Sequence, residues 1–195
     1  TGAGKTLAGF LPSLIELAAQ PSRGLHTLYI SPLKALAADI KRNLISPIDE
    51  LGLDISVEDR TGDTSSHIKK RQRSAPPHFL LTTPESLALL ISYPDAANIF
   101  CGLKRVIIDE IHALAESKRG DQLMLALSRI QALCPDMRRI GLSATVKDAT
   151  DIAMFLSPIS PTCPILIADA GPAPHIQMLT TSATPPWAGA GGLYA

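Results

Sequence analysis

Short apolar runs alternate with amphipathic helical patterns along most of this 195-residue chain. The apolar runs, which are expected to form strands, lie at residues 26–30, 55–57, 79–82, 106–108 and 140–142. Such alternation is typical of repeated strand–helix–strand units and a parallel sheet. Only 4% of the residues are aromatic, so Leu, Ile, Val and Ala must build the core, which also favours a parallel sheet covered by helices. The sequence therefore predicts an α/β domain.

Apolar spacing predicts where the helices lie. In the first helix the apolar positions follow one face of a 3.6-residue repeat, and Pro12 is expected to kink it. These positions are Leu7, Phe10, Leu11, Leu14, Ile15 and Ala18. A second helix is expected to carry Leu33, Leu36, Ala37, Ile40 and Leu44, and to stop near Pro47 and Gly52. Further helices are predicted at residues 65–73, 85–91, 122–133 and 149–156.

The composition of the chain changes after Pro158. Many prolines and glycines give residues 159–195 the chemistry of turns, with candidate short strands at 165–167 and 176–179. We therefore predict one domain over residues 1–158. Residues 159–195 are predicted to form the edge of that domain and a linker toward a second domain outside the chain.

The chain opens with the letters TGAGKT, a glycine-rich turn that a helical pattern follows directly. Gly2, Gly4, Lys5 and Thr6 match the right-hand part of the phosphate-binding loop GxxxxGK[ST], so we expect the start of the loop and the strand before it to precede residue 1. Backbone N–H groups from Thr1 onward would surround phosphate oxygens. Lys5 would contact the β- and γ-phosphates, and the Thr6 hydroxyl would ligate Mg²⁺. A glycine turn that only caps a helix is the alternative interpretation.

Two carboxylates, Asp109 and Glu110, follow the apolar run at residues 106–108. Ligands of open α/β sheets bind beyond the carboxyl ends of the strands. Asp109 is expected to hold Mg²⁺ through water, and Glu110 to orient and activate the water that attacks a phosphate. An acidic pair that merely closes a buried strand is the alternative, which the preceding GKT turn disfavours. The pattern predicts a nucleotide hydrolysis site.

Charge gives no indication of a nucleic-acid partner. Lys and Arg number 18 and so do Asp and Glu, so the formal net charge is zero, whereas a protein that binds nucleic acid by bulk electrostatics is clearly basic. Any such contact must be made locally by a few placed groups. The densest basic cluster either contacts a nucleic-acid backbone or forms a solvated helix face. Its members are Lys69, Lys70, Arg71 and Arg73.

Cysteine usage and hydropathy bear on the compartment. Cys101, Cys134 and Cys163 are widely spaced and form neither a disulfide framework nor a zinc-binding pattern, which indicates a reducing cytoplasm. No apolar run reaches the ~18 residues that a membrane span needs. We therefore expect a cytoplasmic protein without a membrane partner.

Two further motifs, in this order after the glycine turn, resemble those of superfamily 2 DExH-box helicases. Residues 109–112 (DEIH) resemble the DExH box, and residues 143–145 (SAT) resemble the third motif of that superfamily. The resemblance implies a P-loop NTPase domain of RecA-like fold that hydrolyses ATP with Mg²⁺. It assigns to His112, Ser143 and Thr145 the coupling of hydrolysis to domain movement, and places His112 beside Lys5, Asp109 and Glu110 among the catalytic residues.

Other stretches resemble the motifs that line the nucleic-acid track in this superfamily. They are residues 31–36 (SPLKAL), 60–64 (RTGDT) and 83–85 (TPE). The resemblance implies that nucleic-acid contacts fall on Ser31, Pro32, Lys34, Arg60, Gly62, Thr83, Pro84 and Glu85. Hydroxyls and N–H groups at helix N-termini would hold phosphates without reading sequence. Pro32 and Pro84 also suit the first position of a helix, and both interpretations can hold together.

Longer phrases resemble large-helicase-related (Lhr-type) helicases. They include SPLKALA, TTPESL, IIDEIHAL, LSAT and, at residues 118–120, KRG, while the tail phrase PPWAG is similar to the bacterial branch encoded near a DNA ligase. The resemblance implies ATP-driven movement on single-stranded DNA in preference to RNA, with unwinding of DNA or RNA–DNA duplex. It also implies work in DNA repair beside other repair proteins in a bacterial cytoplasm.

Three alternatives to a DNA helicase stay open. One is an RNA-directed DExH helicase, since only 2′-hydroxyl contacts separate the two polymers. Another is a translocase that moves on duplex without unwinding it. The third, a binding module that has lost catalysis, is disfavoured because Lys5, Thr6, Asp109 and Glu110 are all present. The resemblance also implies that a second motor domain supplies an arginine finger, so we expect these 195 residues alone to hydrolyse ATP poorly.

Overall fold

A computed structural model describes residues 4–144, 146, 148–157 and 163–167, except for the side chains of 34–39. Within these ranges the strands are β1 Thr27–Ile30, β2 Val57–Arg60, β3 Phe79–Thr82, β4 Arg105–Ile108 and β5 Arg138–Gly141. They form one sheet in the order β2-β3-β1-β4-β5, and every pair is parallel. The predicted parallel α/β fold is confirmed.

Helices cover both faces of this sheet. In the described ranges they are α1 Lys5–Ala19, α2 Lys34–Glu50, α3 Ser66–Ser74, α4 Pro84–Ile91, α5 Ala96–Phe100, α6 Ile111–Ala115, α7 Lys118–Leu133 and α8 Ala149–Leu156. Side chains of α1 and α2 contribute to the core on one face, while those of α4 to α8 contribute to the core on the other. None of the helices in the described part of the chain combines the length and apolarity needed to cross a bilayer.

The central strands are apolar on both sides because both of their faces are covered. In β1, Leu28 and Ile30 join the core beneath α4 to α8, and Tyr29 between them joins the core beneath α1 and α2. In β4, Ile107 lies on the α1 side, and its neighbours lie on the other. This alternation follows from the two-residue repeat of a strand. It directs the Tyr29 side chain toward the helix that begins at Lys5.

The predicted face of α1 is partly wrong. Phe10 and Leu14 are buried as expected, together with Ser13 and Leu17, whereas Leu7, Leu11 and Ile15 are exposed. Apolar residues occur nearly all round this helix, so their spacing does not identify the inward face. Ser13 is accommodated there because Thr27 donates a hydrogen bond to its hydroxyl at 2.9 Å. The assigned helix also extends through Pro12, and α2 extends through Pro47.

Several predicted boundaries move, and two helices were missed. Strand β2 shares only Val57 with the predicted run at 55–57, and β5 begins two residues before its prediction at 140–142. Helices α5 and α6 have five residues each, too few for apolar periodicity to reveal them. No strand forms at 165–167, and the candidate strand at 176–179 lies outside the described residues. The division after residue 158 stays a prediction.

Candidate functional site

All five described strands run in the same direction, so their carboxyl ends lie at one edge of the sheet. The predicted motifs follow these ends directly. Ser31 follows β1, Thr61 follows β2, Thr83 follows β3 and Asp109 follows β4. Residues separated by long stretches of sequence are thereby brought to a common surface, which we call the carboxyl edge.

The start of α1 has the geometry of an anion-binding helix terminus. Gly4 precedes the helix with φ 65°, a left-handed conformation, and a Cβ there would meet no atom within 4 Å. Glycine is therefore favoured by the backbone conformation and not by lack of space. No side chain caps the N-terminus of the helix, and its first turn holds no acidic residue, so the first N–H groups and Lys5 present positive charge. Half-buried Thr6 lies in the same turn, whereas Thr1 and Gly2 lie outside the described residues.

Lys5 joins this helix to the third predicted motif. Its Nζ donates a hydrogen bond to the Ser143 carbonyl at 2.8 Å, across 138 positions of sequence. Ser143 lies just beyond β5, at the carboxyl edge. An ammonium group has three N–H donors, so Lys5 can also donate to phosphate oxygens. Thr145, the other coupling residue predicted in that motif, lies outside the described residues.

The carboxylate of Asp109 accepts two hydrogen bonds that fix its orientation. Its Oδ1 accepts from the Glu110 backbone N–H at 2.9 Å, and its Oδ2 accepts from the Tyr29 hydroxyl at 2.5 Å. Burial, and then the hydrogen bond to Asp109, raise the pKa of Tyr29 well above its usual value, so the phenol stays protonated and donates. Tyr29 belongs to no motif that the sequence indicated. The available signal was a polar-tipped aromatic residue between Leu28 and Ile30 in a fully buried strand.

Glu110 has a strained backbone and a defined neighbour. Its φ of 46° makes it the one non-glycine residue with positive φ in the described ranges. The Nε2 of His112 lies 3.4 Å from Glu110 Oε2, and the Nδ1 of the same ring is hydrogen-bonded to Ser143 Oγ at 2.9 Å. His112 therefore links the carboxylate after β4 to the segment after β5. Strained residues of this kind cluster at functional sites.

The predicted nucleic-acid residues after β1 and β3 lie close together. Thr83 caps α4 by accepting a hydrogen bond from the Ser86 N–H, Pro84 occupies its first turn, and Glu85 follows. Ser31 is buried, and its backbone N–H donates to the Thr82 carbonyl at 3.0 Å. The backbone of Lys34 begins α2. The start of each helix is thus anchored to the end of a strand.

Arg119 connects these two segments, a contact that the sequence did not predict. Its Nε donates to Glu85 Oε1 at 2.6 Å, and its Nη2 donates to the Pro32 carbonyl at 2.9 Å. The Arg119 hydrogen bond is the main reason that the pKa of Glu85 is lowered. Arg119 belongs to the KRG phrase that supported the family resemblance but received no role there. It ties the turn before α2 to the first turn of α4.

The Arg60 side chain is turned into the domain, and the nucleic-acid contact that the resemblance implied for this residue stays a prediction. The residue is 3% exposed, and its guanidinium donates to the Lys69 carbonyl at 2.9 Å and to Gln72 Oε1 at 3.3 Å. Its hydrogen bonds therefore hold α3 against β2. Gly62, in the loop that follows, accepts a hydrogen bond from Lys69 Nζ at 3.0 Å.

The basic cluster on α3 also makes contacts within the domain. Arg71 pairs with Glu58 at 2.5 Å, and Arg73 pairs with Asp95 at 2.8 Å while lying over the Tyr93 ring. These contacts favour a structural role for both arginines over the alternative of a nucleic-acid contact.

Comparison with known proteins agrees with this geometry. The chain matches the DEAD/DEAH box helicase family over residues 1–152. It is 46% identical over 171 residues to "ATP-dependent helicase Lhr-Core protein 2" of Thermococcus barophilus, covering 80% of this chain and 20% of that protein. It is 44% identical over 181 residues to "Lhr helicase/ probable uracil glycosylase" of Mycolicibacterium smegmatis, covering 84% of this chain and 12% of that protein. The chain thus spans a fifth or less of the length of these relatives.

Solved structures give the same result. The helicase Lhr of Mycobacterium smegmatis bound to ssDNA and AMP-PNP is similar with a TM-score of 0.75 and 43% identity, over 82% of this chain and 22% of that one. The DUF1998 helicase MrfA bound to DNA and AMPPNP has a TM-score of 0.71 and 33% identity, over 81% of this chain and 22% of that one. The chain therefore belongs to the DEAD/DEAH box helicase family, and it carries a RecA-like motor domain similar to that of Lhr-type helicases.

Proposed function

We propose that this domain binds and hydrolyses ATP and, within a longer protein, couples hydrolysis to movement along single-stranded DNA and to unwinding. The observation that carries the proposal is the series of contacts from Lys5 through Ser143 and His112 to Glu110. It connects the phosphate-binding helix, the third motif and the carboxylate after β4. A change at the phosphates therefore has a direct physical route to the end of β5.

Each group in this series has a role that suits phosphoryl transfer. Lys5 and the N–H groups at the start of α1 would hold the phosphates, because the helix terminus and the ammonium both attract anions. Glu110 would orient the attacking water and accept its proton. His112 contacts Glu110 and Ser143, so it would transmit the state of the nucleotide to the segment after β5.

The residues at this edge fit Mg²⁺. In the described part of the chain no three His, Cys, Asp or Glu side chains are grouped to hold a metal by themselves. Mg²⁺ commonly keeps several waters and is held by one or two protein oxygens together with substrate phosphates. Asp109 and Thr6 are one carboxylate and one hydroxyl of that kind. The bound ion would neutralise charge on the phosphates during transfer.

One observation supports a nucleic-acid track, and a second favours DNA for that track. Helices α2 and α4 both begin at the carboxyl edge, beside Ser31 and Thr83, where N–H groups and hydroxyls suit phosphates. The similar helicases Lhr and MrfA were solved with ssDNA and with DNA. We extend the proposal to DNA repair, with other repair proteins as partners, in a bacterial cytoplasm.

Strand displacement tests the proposal. The full-length protein should separate a forked DNA duplex when ATP and Mg²⁺ are present, and an RNA–DNA fork should test the choice of track. Glu110→Gln should bind ATP but displace no strand, since the group that activates water is lost. ATP hydrolysis without displacement on any fork would instead favour a translocase that does not unwind duplex, and displacement on RNA forks alone would favour an RNA helicase.

A further inference from the structure

Tyr29 lies at the centre of the sheet, and it belongs to none of the motifs that supply the proposed ATP-binding and catalytic residues. Its strand, β1, is flanked by β3 and β4, and the residue is 0% exposed. Tyr29 is in register with Ile107 of β4, two residues before Asp109. The phenol spans this offset and places its hydroxyl 2.5 Å from Asp109 Oδ2.

The Tyr29 ring is held firmly by its neighbours. It stacks on Phe10 with ring centroids 5.0 Å apart and 25° between the planes, and Phe10 meets Phe79 edge-on at 5.7 Å. Phe10 belongs to α1, the helix that begins with Lys5 and Thr6. Close-packed aromatic rings in a core adopt few orientations. The hydroxyl is therefore fixed relative to both the phosphate-binding helix and the end of β4.

The Tyr29 hydroxyl bonds to the Asp109 carboxylate, the group that we propose to hold Mg²⁺. Tyr29 and the Glu110 N–H each supply one donor to Asp109, one to each oxygen. A carboxylate oxygen has two acceptor sites, so each retains capacity for a water or a metal ion. Groups that hydrogen-bond a ligating carboxylate fix its orientation and often matter nearly as much as the ligand itself.

We propose that Tyr29 is a positioning residue, whose hydroxyl holds the Asp109 carboxylate in the orientation that receives Mg²⁺·ATP and whose ring ties that orientation to α1. The inference rests on the proposed metal role of Asp109. It assigns to a residue outside the helicase motifs a specific part in metal-dependent nucleotide binding.

The test compares nucleotide binding with and without metal in the full-length protein. Tyr29→Phe removes one hydroxyl and keeps the ring packing, so the fold is expected to survive. Isothermal titration with AMP-PNP, which is not turned over, gives Kd in Mg²⁺ and in excess EDTA. We expect the Kd in Mg²⁺ to rise about tenfold. The Kd in EDTA should stay within about twofold, because metal-free binding depends on Lys5 and the start of α1.

Tyr93→Phe is the matched control, because Tyr93 is a 37% exposed tyrosine whose ring lies beneath the Arg73 guanidinium, whereas the hydroxyl that contacts Asp109 is that of Tyr29. It should leave both Kd values unchanged. Parallel rises of both Kd values in Tyr29→Phe would indicate a merely structural hydroxyl and overturn the inference, as would no change in either. A wild-type protein that binds AMP-PNP equally in Mg²⁺ and EDTA would overturn the metal role of Asp109 and this inference with it.

Discussion

At the scale of single residues, backbone strain at Glu110 and hydrogen bonding of Asp109 distinguish the carboxyl edge. Glu110 has φ 46° and ψ 42°, a conformation that costs a non-glycine residue roughly 1–2 kcal/mol. Such strain persists only where the surrounding structure imposes it. Glu110 is held on both sides: its N–H donates a hydrogen bond to the Asp109 carboxylate, and α6 begins at the next residue.

Replacing Glu110 by glycine should stabilise the fold relative to replacing it by glutamine. Both changes remove the carboxylate, but only glycine relieves the left-handed backbone. We expect Glu110→Gly to raise the free energy of unfolding over Glu110→Gln by about 0.5–1 kcal/mol. Urea denaturation of the two variants of this chain measures the difference. Equal stability, or a less stable glycine variant, would show that residue 110 is not strained.

Short sequence motifs were sufficient to identify candidate site residues that lie within those motifs. Lys5, Asp109 and Glu110 were identified because a glycine turn before a helix and carboxylates after an apolar strand are local features. The structure brings these residues to one edge, while their roles stay predictions. The contact of Tyr29 and the internal hydrogen bonds of Arg60 could not be predicted in this way, because their partners come from other elements. Tyr29 contacts Asp109 from a neighbouring strand, and Arg60 turns inward onto α3.

At the scale of elements, Arg119 shows how a helix positions loops that it does not belong to. It lies in the first turn of α7 and reaches both the Pro32 carbonyl and the Glu85 carboxylate. The pair of side chains is 43% and 50% exposed, so it should add well under 1 kcal/mol to stability. Its larger effect would be to align two segments proposed to hold one strand.

Removing Arg119 should weaken single-stranded DNA binding more than it weakens the fold. We expect Arg119→Ala to raise the Kd for an oligonucleotide about threefold to tenfold, since charge-assisted contacts to both segments are lost. Its thermal midpoint should stay near that of the wild type. Fluorescence anisotropy measures binding, with Arg129→Ala on the exposed face of α7 as the control.

Glu85→Gln separates positioning from direct phosphate contact by Arg119. If Arg119 acts by joining the two segments, weakening its pairing with Glu85 should also weaken DNA binding. Tighter DNA binding by Glu85→Gln would contradict the positioning role, because it would indicate an arginine that the acid holds away from phosphate.

Gly120 allows α7 to begin directly against α6. A Cβ at this position would lie 2.0 Å from the Leu114 carbonyl oxygen and 3.1 Å from the Phe155 ring. Gly120→Ala should therefore push the helices apart and lower the free energy of unfolding by about 1–3 kcal/mol. Ser128→Ala, on the exposed side of the same helix, should change it by less than about 0.5 kcal/mol. Denaturation measures both, and a Gly120→Ala variant as stable as Ser128→Ala would contradict this close contact.

Strands and helices were predicted well where the spacing of apolar residues clearly distinguished buried from exposed positions. Strand β3 was predicted with its observed bounds, because its apolar run is short and bounded by polar residues. The inward face of α1 was partly wrong, since apolar residues surround that helix. Helices α5 and α6 are shorter than two turns and leave no periodic signal.

At the scale of the whole molecule, one parallel sheet explains why motifs that are distant in sequence lie at the same edge. The sheet order places β1 and β4 side by side, with β3 and β5 beyond them, so the segments that follow these four strands are neighbours at the carboxyl edge. The same arrangement would let a chain of zero net charge hold the proposed nucleic-acid track, since a few oriented groups would replace a general positive surface. The ligase-associated branch depended on residues 185–189, which lie outside the described residues, and stays a prediction.

We propose above all that ATP is hydrolysed at the carboxyl edge, that DNA stimulates this hydrolysis, and that Glu110 activates the attacking water. The most direct measurement is steady-state ATP hydrolysis by the full-length protein with single-stranded DNA, with RNA and with neither, beside Glu110→Gln. We predict strong stimulation by DNA and a rate at least about 100-fold lower in Glu110→Gln, with ATP binding retained. DNA-stimulated hydrolysis that survives in Glu110→Gln, or a full-length protein that binds ATP but hydrolyses none with either polymer, would contradict the claim.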